Sequence, residues 1–236
     1  MLSGDSKLRT GGDDRTPSIE HFVARSLDPN VVGFLHRPVA AVKDGLVLTH
    51  GAGSNCRTQL LLELGEAFAR VGMLVLRCDL PYRQSSSQGP PKPGGAERDR
   101  EGLRNAVLAM RDLAPDRIFL GGHSYGGRQA SMLAASAPEL VDGLLLLSYP
   151  LHPPRKPQQL RTQHFPQLRT PALFVQGTRD PFASEPELTE AVGLIPGRTS
   201  LLFLAGAGHD LKVGKSSAAT MTAQLLERFA EFFAGS

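Results

Sequence analysis

The sequence predicts a single α/β domain, built on a mostly parallel sheet of about eight strands with helices on both faces. Short, continuously apolar runs such as Leu144-Leu145-Leu146-Leu147 and Ala172-Leu173-Phe174-Val175 have the character of strands buried on both sides. These runs alternate with longer segments of helical periodicity, the pattern of βαβ units. The chain has 236 residues and 41% hydrophobic content, enough for one sizeable core. No internal repeat or composition shift marks a second domain.

Residues 1–17 are polar and glycine-rich, so a flexible tail is expected there and the domain is expected to run over 18–236. Strands are predicted near 18–25 and 31–37. The turn Asp28-Pro29-Asn30 between them makes the pair an antiparallel hairpin. Gly45-Leu46-Val47-Leu48-Thr49 forms the next strand and runs into a glycine-rich loop. A helix covers 58–71, with leucines at 60, 61, 62 and 64. A buried strand follows at 73–78. The stretch 81–97 is rich in Pro, Ser, Gln and Gly and reads as a long surface loop. A helix runs near 98–114, then a strand from Asp116 through Gly121 and a helix from Gly127 onward. Strands at 144–148, 172–176 and 200–204 and an amphipathic helix at 216–234 complete the chain.

The formal charge is +3 and the pI is about 9.1. Arginine far outnumbers lysine, but the basic residues are scattered, with no dense tract for nucleic acid. No apolar run has the length of a membrane span, and the N-terminus shows no apolar signal core. A cytoplasmic protein without membrane or nucleic-acid partners is therefore expected. Cys56 and Cys78 form no C-x-x-C pair and no zinc-like cluster, so reduced thiols and no metal site are expected. Cys56 lies close to the glycine-rich loop after Thr49, and sensitivity to thiol reagents is expected of it.

Gly122-His123-Ser124-Tyr125-Gly126 spells G-x-S-x-G between a strand and a helix. That context makes a nucleophile elbow, a turn so tight that glycines are needed around the serine. A serine hydroxyl needs a base within hydrogen-bond reach, and the base needs an orienting carboxylate. Asp180 follows the strand 172–176 and His209 follows the strand at 200–204. Ser124, Asp180 and His209 thus stand in chain order Ser, acid, His, each at a strand end. Asp79, at the end of the strand 73–78, is the rival acid. The adjacent Leu80-Pro81-Tyr82-Arg83 would shape the pocket edge. Asp180 also suits a cap for a helix starting at Pro181. Asp210 adjoins His209 and reads as structural. His50 and His123 read as braces of their loops, and His21, His36, His152 and His164 as surface or packing residues.

A tetrahedral intermediate needs preorganised N–H donors for its oxyanion. One is the backbone N–H of Tyr125. The other comes from His50-Gly51-Ala52-Gly53, with Ala52 assigned and Gly53 the close competitor.

These segments, with Val175-Gln176-Gly177-Thr178-Arg179-Asp180-Pro181-Phe182 and Gly208-His209-Asp210, resemble the α/β-hydrolase superfamily. Within it the chain is most similar to small dienelactone-hydrolase-like hydrolases. That group includes bacterial proteins and relatives of a testis-expressed protein and of a histone acetyltransferase subunit. The resemblance runs from about residue 18 to the end, and it implies the fold and a Ser-Asp-His triad. Dienelactone hydrolases proper carry a cysteine nucleophile. This chain has Ser124 there, so a lactone substrate does not carry over.

The connection between 148 and 172 is too short for a helical cap domain, which predicts an open site. The reading is a carboxylesterase-like serine hydrolase acting on a small-molecule acyl ester or thioester, with no cofactor. A non-catalytic interaction module of the same fold stays open as an alternative. So does acyl transfer or perhydrolysis by the same triad, because only the acceptor differs. Arg155, Lys156, Arg161 and Arg169 lie where a cap would sit; they read first as solvated surface, with a preference for an acidic substrate as the alternative.

Overall fold

The computed structural model describes residues 16–114, 116–213 and 218–234. Residues 1–15 of the expected tail lie outside the described residues. The apolar runs form β1 (Ser18–Ala24), β2 (Val31–Arg37), β3 (Gly45–Thr49), β4 (Leu74–Cys78), β5 (Ile118–His123), β6 (Gly143–Leu147), β7 (Ala172–Gly177) and β8 (Thr199–Leu204). The periodic segments form α1 (Gln59–Arg70), α2 (Pro81–Ser85), α3 (Ala96–Arg111), α4 (Tyr125–Ser136), α5 (Glu185–Val192) and α6 (Ala218–Phe233). All eight strands join one sheet in the order β1-β2-β4-β3-β5-β6-β7-β8. β1 pairs antiparallel with β2 and β2 antiparallel with β4, while every later pairing is parallel.

Period-two alternation divides the core between the two faces. Leu144, Leu146 and Phe174 join the layer built on α3, α4 and α5. Leu145, Leu147, Leu173 and Val175 join the layer built on α1 and α6. Each fully buried leucine contributes about 1.5–3 kcal/mol of transfer energy, which is why these runs become central strands and not exposed helices.

β3 lies between β4 and β5. The chain therefore runs outward on one side of β3 and returns on the other. The loops leaving β3 and β5 diverge at this switch point and open a crevice at the carboxyl edge. Thr49 and Gly122 are register partners there, so the glycine-rich loop and the serine turn start side by side.

Two local features depart from expectation. Pro81 starts the short helix α2 inside the stretch expected to be loop. The Tyr82 N–H gains a buried acceptor, Asp99 Oδ1 at 3.0 Å, which holds that turn in place. α5 starts four residues beyond Pro181, where the Glu187 carboxylate reaches back to the Ser184 N–H at 2.8 Å. Asp180 is therefore not the cap of that helix. The 148–171 connection holds one 3₁₀ turn, Phe165–Gln167, and buries Tyr149, Leu151, Phe165 and Leu168. It lies down into the core, and among the described residues no cap domain stands over the sheet.

Candidate active site

Ser124 joins β5 to α4 with φ 53° and ψ −115°, a conformation that costs on the order of 1–3 kcal/mol. Both neighbours hold it there. Its N–H donates to the Leu147 carbonyl at 2.8 Å, and its own carbonyl accepts from the Arg128 N–H at 3.0 Å. The turn leaves no room for side chains beside it. A Cβ on Gly122 would stand 2.8 Å from the Gly126 carbonyl carbon, and one on Gly126 would stand 2.5 Å from the His50 oxygen.

The turn brings three of the expected residues together. His209 Nε2 lies 2.9 Å from Ser124 Oγ, and His209 Nδ1 lies 2.8 Å from Asp180 Oδ2. A carboxylate only accepts, so Nδ1 carries the proton and Nε2 is free to accept from the serine hydroxyl. The Asp180 side chain is fully buried. Its second oxygen accepts the Phe182 N–H at 2.9 Å, and the Phe182 ring lies against His209 at 4.3 Å between centroids. The acid and histidine loops are tied by main chain, with the Arg179 N–H donating to the Ala207 carbonyl at 2.9 Å. His123 Nε2 donates to the His209 carbonyl at 2.6 Å. Burial pushes the His123 pKa down, which keeps that ring neutral and donating on one nitrogen.

The glycine-rich loop abuts the serine. A Cβ on Gly51 would stand 3.1 Å from His123 Nδ1 and 3.4 Å from Ser124 Cβ, whereas one on Gly53 would meet nothing within 4 Å. Tyr82 Oη donates to the carbonyls of Gly51 (3.0 Å) and Ala52 (2.9 Å). Arg83 donates to Ser54 O at 2.8 Å and Ala52 O at 3.3 Å, and also holds Ser86 O and Gly89 O. In a trans peptide the C=O and N–H point opposite ways. Holding Gly51 O and Ala52 O therefore aims the N–H groups of Ala52 and Gly53 away from Tyr82 and Arg83. The Tyr125 N–H opens α4 and, as in any first helical turn, has no intrahelical acceptor. Buried Asp99 accepts from Tyr125 Oη at 2.8 Å as well as from the Tyr82 N–H, linking the two walls.

Sequence reasoning placed Tyr82 and Arg83 at a pocket edge and missed their part as loop braces. It missed Asp99 altogether, because its partners are 17 and 26 residues away. Asp79 is not brought to His209. Its Oδ1 accepts the Cys56 N–H at 2.7 Å and lies 3.5 Å from His50 Nε2. His50 braces its loop as expected, with Nε2 accepting the Leu80 N–H at 3.1 Å. Asp210 accepts the Lys212 N–H at 3.2 Å. Cys56 corrects the expectation of thiol reactivity. The residue is 1% exposed, and burial, then Asp79, pushes the thiol up to about 12. Among the described residues no three or more His, Cys, Asp or Glu side chains are grouped to hold a metal ion. No described helix is long and apolar enough to cross a membrane.

Monoglyceride lipase of Rattus norvegicus is 28% identical over 113 residues, 48% of this chain and 37% of that protein. An esterase of Mycobacterium tuberculosis is 32% identical over 112 residues, 43% of this chain and 32% of that protein. The matched part is about a third of the length of each of these relatives. Among solved structures, dienelactone hydrolase from Anabaena variabilis matches with a TM-score of 0.71 at 19% identity, over 92% of this chain and 98% of that one. Est1E from Butyrivibrio proteoclasticus with ferulic acid bound gives 0.72 at 16% identity, over 87% and 96%. A serine hydrolase without a lid from Xanthomonas campestris gives 0.62 at 13% identity, over 92% and 93%. The sequence profile of the family described as an alpha/beta hydrolase domain matches residues 42–234. The chain belongs to the α/β-hydrolase family.

Proposed function

We propose that this α/β hydrolase is a carboxylesterase-like serine hydrolase that cleaves small acyl esters or thioesters through an acyl-enzyme intermediate. The observation that carries the reading is the unbroken contact chain Ser124 Oγ–His209 Nε2 (2.9 Å) and His209 Nδ1–Asp180 Oδ2 (2.8 Å), built on a strained serine turn. In this reading His209 takes the Ser124 proton as Oγ attacks the carbonyl carbon. Asp180 fixes the tautomer and stabilises the imidazolium. The N–H groups of Tyr125 and Ala52 receive the oxyanion. Ala52 is chosen over Gly53 because Gly51, which precedes it, packs against Ser124, whereas Gly53 faces open space. His209 then protonates the departing alcohol or thiol, and in the second half it activates the water that frees the acyl group. Two curated relatives, a lipase and an esterase, support an ester as the substrate.

The test is covalent labelling with a fluorescent fluorophosphonate, which needs an activated serine. Wild type should label and Ser124→Ala should not. A wild type that stays dark while a control esterase labels would end this reading and favour the interaction-module alternative.

A further inference from the structure

Arg128 sits on α4 one turn beyond Ser124. Side chains on a helix lean toward its N-terminus, and the Arg128 charge acts on Tyr125 at the start of α4 and on Tyr149, Arg161 and His164 of the 148–171 connection. Its Nε is buried and has no hydrogen-bond partner among the described residues. An unmet charged donor is costly to bury, and such positions call for a partner. No carboxylate among the described residues pairs with Arg128 or with Arg161.

The surroundings are positive. Arg161 is pinned beside it, with its N–H on Leu151 O at 2.8 Å and Nη1 on Pro150 O at 3.1 Å. Burial, then the neighbouring Arg128 charge, lowers the Arg161 pKa. Arg100 comes from α3 and donates to Gln129 Oε1 at 3.0 Å. His164 donates to Ser131 Oγ at 2.8 Å. Burial, then Arg128 and Arg100, holds the His164 pKa down at about 4. The nearby acid, Asp99, already serves Tyr82 and Tyr125.

We propose that Arg128 and Arg161 form a carboxylate subsite, and that the substrates are esters whose acyl part carries a carboxylate, that is, half-esters of dicarboxylic acids. The inference rests on the esterase reading above and names its substrate class. The two sheet faces assign the charge to the acyl side. His209 lies on the β8–α6 connection, whose Ala207 and Leu211 pack into the α1/α6 layer. The leaving alcohol must lie on that side to be protonated. Arg128 and Arg161 belong with the α3/α4/α5 layer opposite, which receives the acyl chain.

The test compares monoethyl glutarate with ethyl isoheptanoate, in which two methyl groups replace the carboxylate oxygens. Ethanol release gives kcat/KM for wild type, Arg128→Gln, Arg128→Lys and Arg161→Gln. Wild type should prefer the half-ester by about tenfold or more. That preference should fall about tenfold in Arg128→Gln and return in part in Arg128→Lys. Arg161→Gln, on a separate segment, carries the test if Arg128→Gln does not fold. A second arm uses calorimetry to read monoethyl glutarate binding to Ser124→Ala, with and without Arg128→Gln, and reports the subsite whether or not Ser124 is a nucleophile. Binding that depends on Arg128, with no turnover by wild type, would sink the esterase reading and keep the subsite. Equal kcat/KM on the two esters, with binding indifferent to Arg128→Gln, would overturn the subsite and leave the esterase reading standing.

Discussion

Gly126→Ala tests whether the missing side chain at the elbow sets the distance between the two proposed oxyanion donors. The added methyl would stand 2.5 Å from the His50 oxygen and 2.6 Å from Thr49 Cγ2. Ordinary contact begins at 3.4 Å, so the start of α4 and the His50 carbonyl must separate by about 0.9 Å. α4 carries the Tyr125 N–H. The His50 carbonyl leads directly into the Gly51–Ala52 peptide that carries the second donor. The two donors therefore part by nearly the whole displacement, because Tyr82 and Arg83 hold the loop on its far side. A misplacement of about 1 Å at a reacting centre costs on the order of 100-fold, and loss of one oxyanion donor costs about 100- to 1000-fold. We expect kcat/KM on a short acyl ester to fall by about 100-fold, with about 1–3 kcal/mol of destabilisation from overpacking. Steady-state kinetics and a thermal melt on the same preparation read both. Activity within threefold of wild type, beside a lowered melting point, would show that the overlap relaxes elsewhere and that Gly126 does not space the donors.

Three further outcomes follow from the geometry. Asp180→Asn should lower kcat by about 10⁴-fold, because an amide nitrogen facing Nδ1 favours the wrong tautomer. Asp79→Asn, which touches Cys56 N–H and not His209, should cost less than about tenfold; the reverse ranking in steady-state assays would move the acid to Asp79. Acid should destabilise the fold through His36, which is 0% exposed and whose pKa is lowered to about 4 from 6.5 by burial, then Arg77. Between those values the unfolded chain binds more protons, so stability is lost as pH falls from 6.5 towards about 4, to a total of about 3 kcal/mol. Urea midpoints that stay flat over that window would contradict this. Native Cys56 should resist iodoacetamide at pH 8 while the urea-unfolded chain reacts; equal rates by mass spectrometry would place the thiol at the surface.

The fold was readable because burial on both faces leaves a mark in the sequence. Runs such as Leu144-Leu145-Leu146-Leu147 have no polar side to offer, so only a central strand suits them. Ser124, Asp180 and His209 were readable for a related reason. Ser124 follows β5 directly, while Asp180 and His209 lie on the loops after β7 and the half-buried edge strand β8, and the end of a parallel strand is where this sheet exposes residues to the crevice. Local chemistry misled at Asp180, where Pro181 hinted at a helix start. The Ser184–Glu187 pair four residues later was an equally local signal and is the one the chain uses. At Cys56, nearness in sequence to the glycine-rich loop said nothing of which way the thiol turns, and it turns inward.

The braces of the site left no such mark. Tyr82 reaches carbonyls 30 and 31 residues away, and Arg83 spans 29 and 31 residues to the same loop while holding Gly89 six residues on. Carbonyls have no sequence identity, so a side chain that recognises them pairs with no residue type that a reader could search for. This separates two kinds of information in the chain. The groups that would do chemistry are fixed by residue type and by strand position, both of which are local. The angle at which the backbone N–H groups would face the proposed substrate is set in part by long side chains bonded to main chain across the crevice. The peptide between Gly51 and Ala52 shows the consequence: its carbonyl accepts from Tyr82 Oη at 3.0 Å, from His50 Nδ1 at 2.9 Å and from the Ser54 N–H at 3.1 Å, and its N–H points the opposite way. A substitution at Tyr82 would therefore act on the reaction without touching any reacting atom.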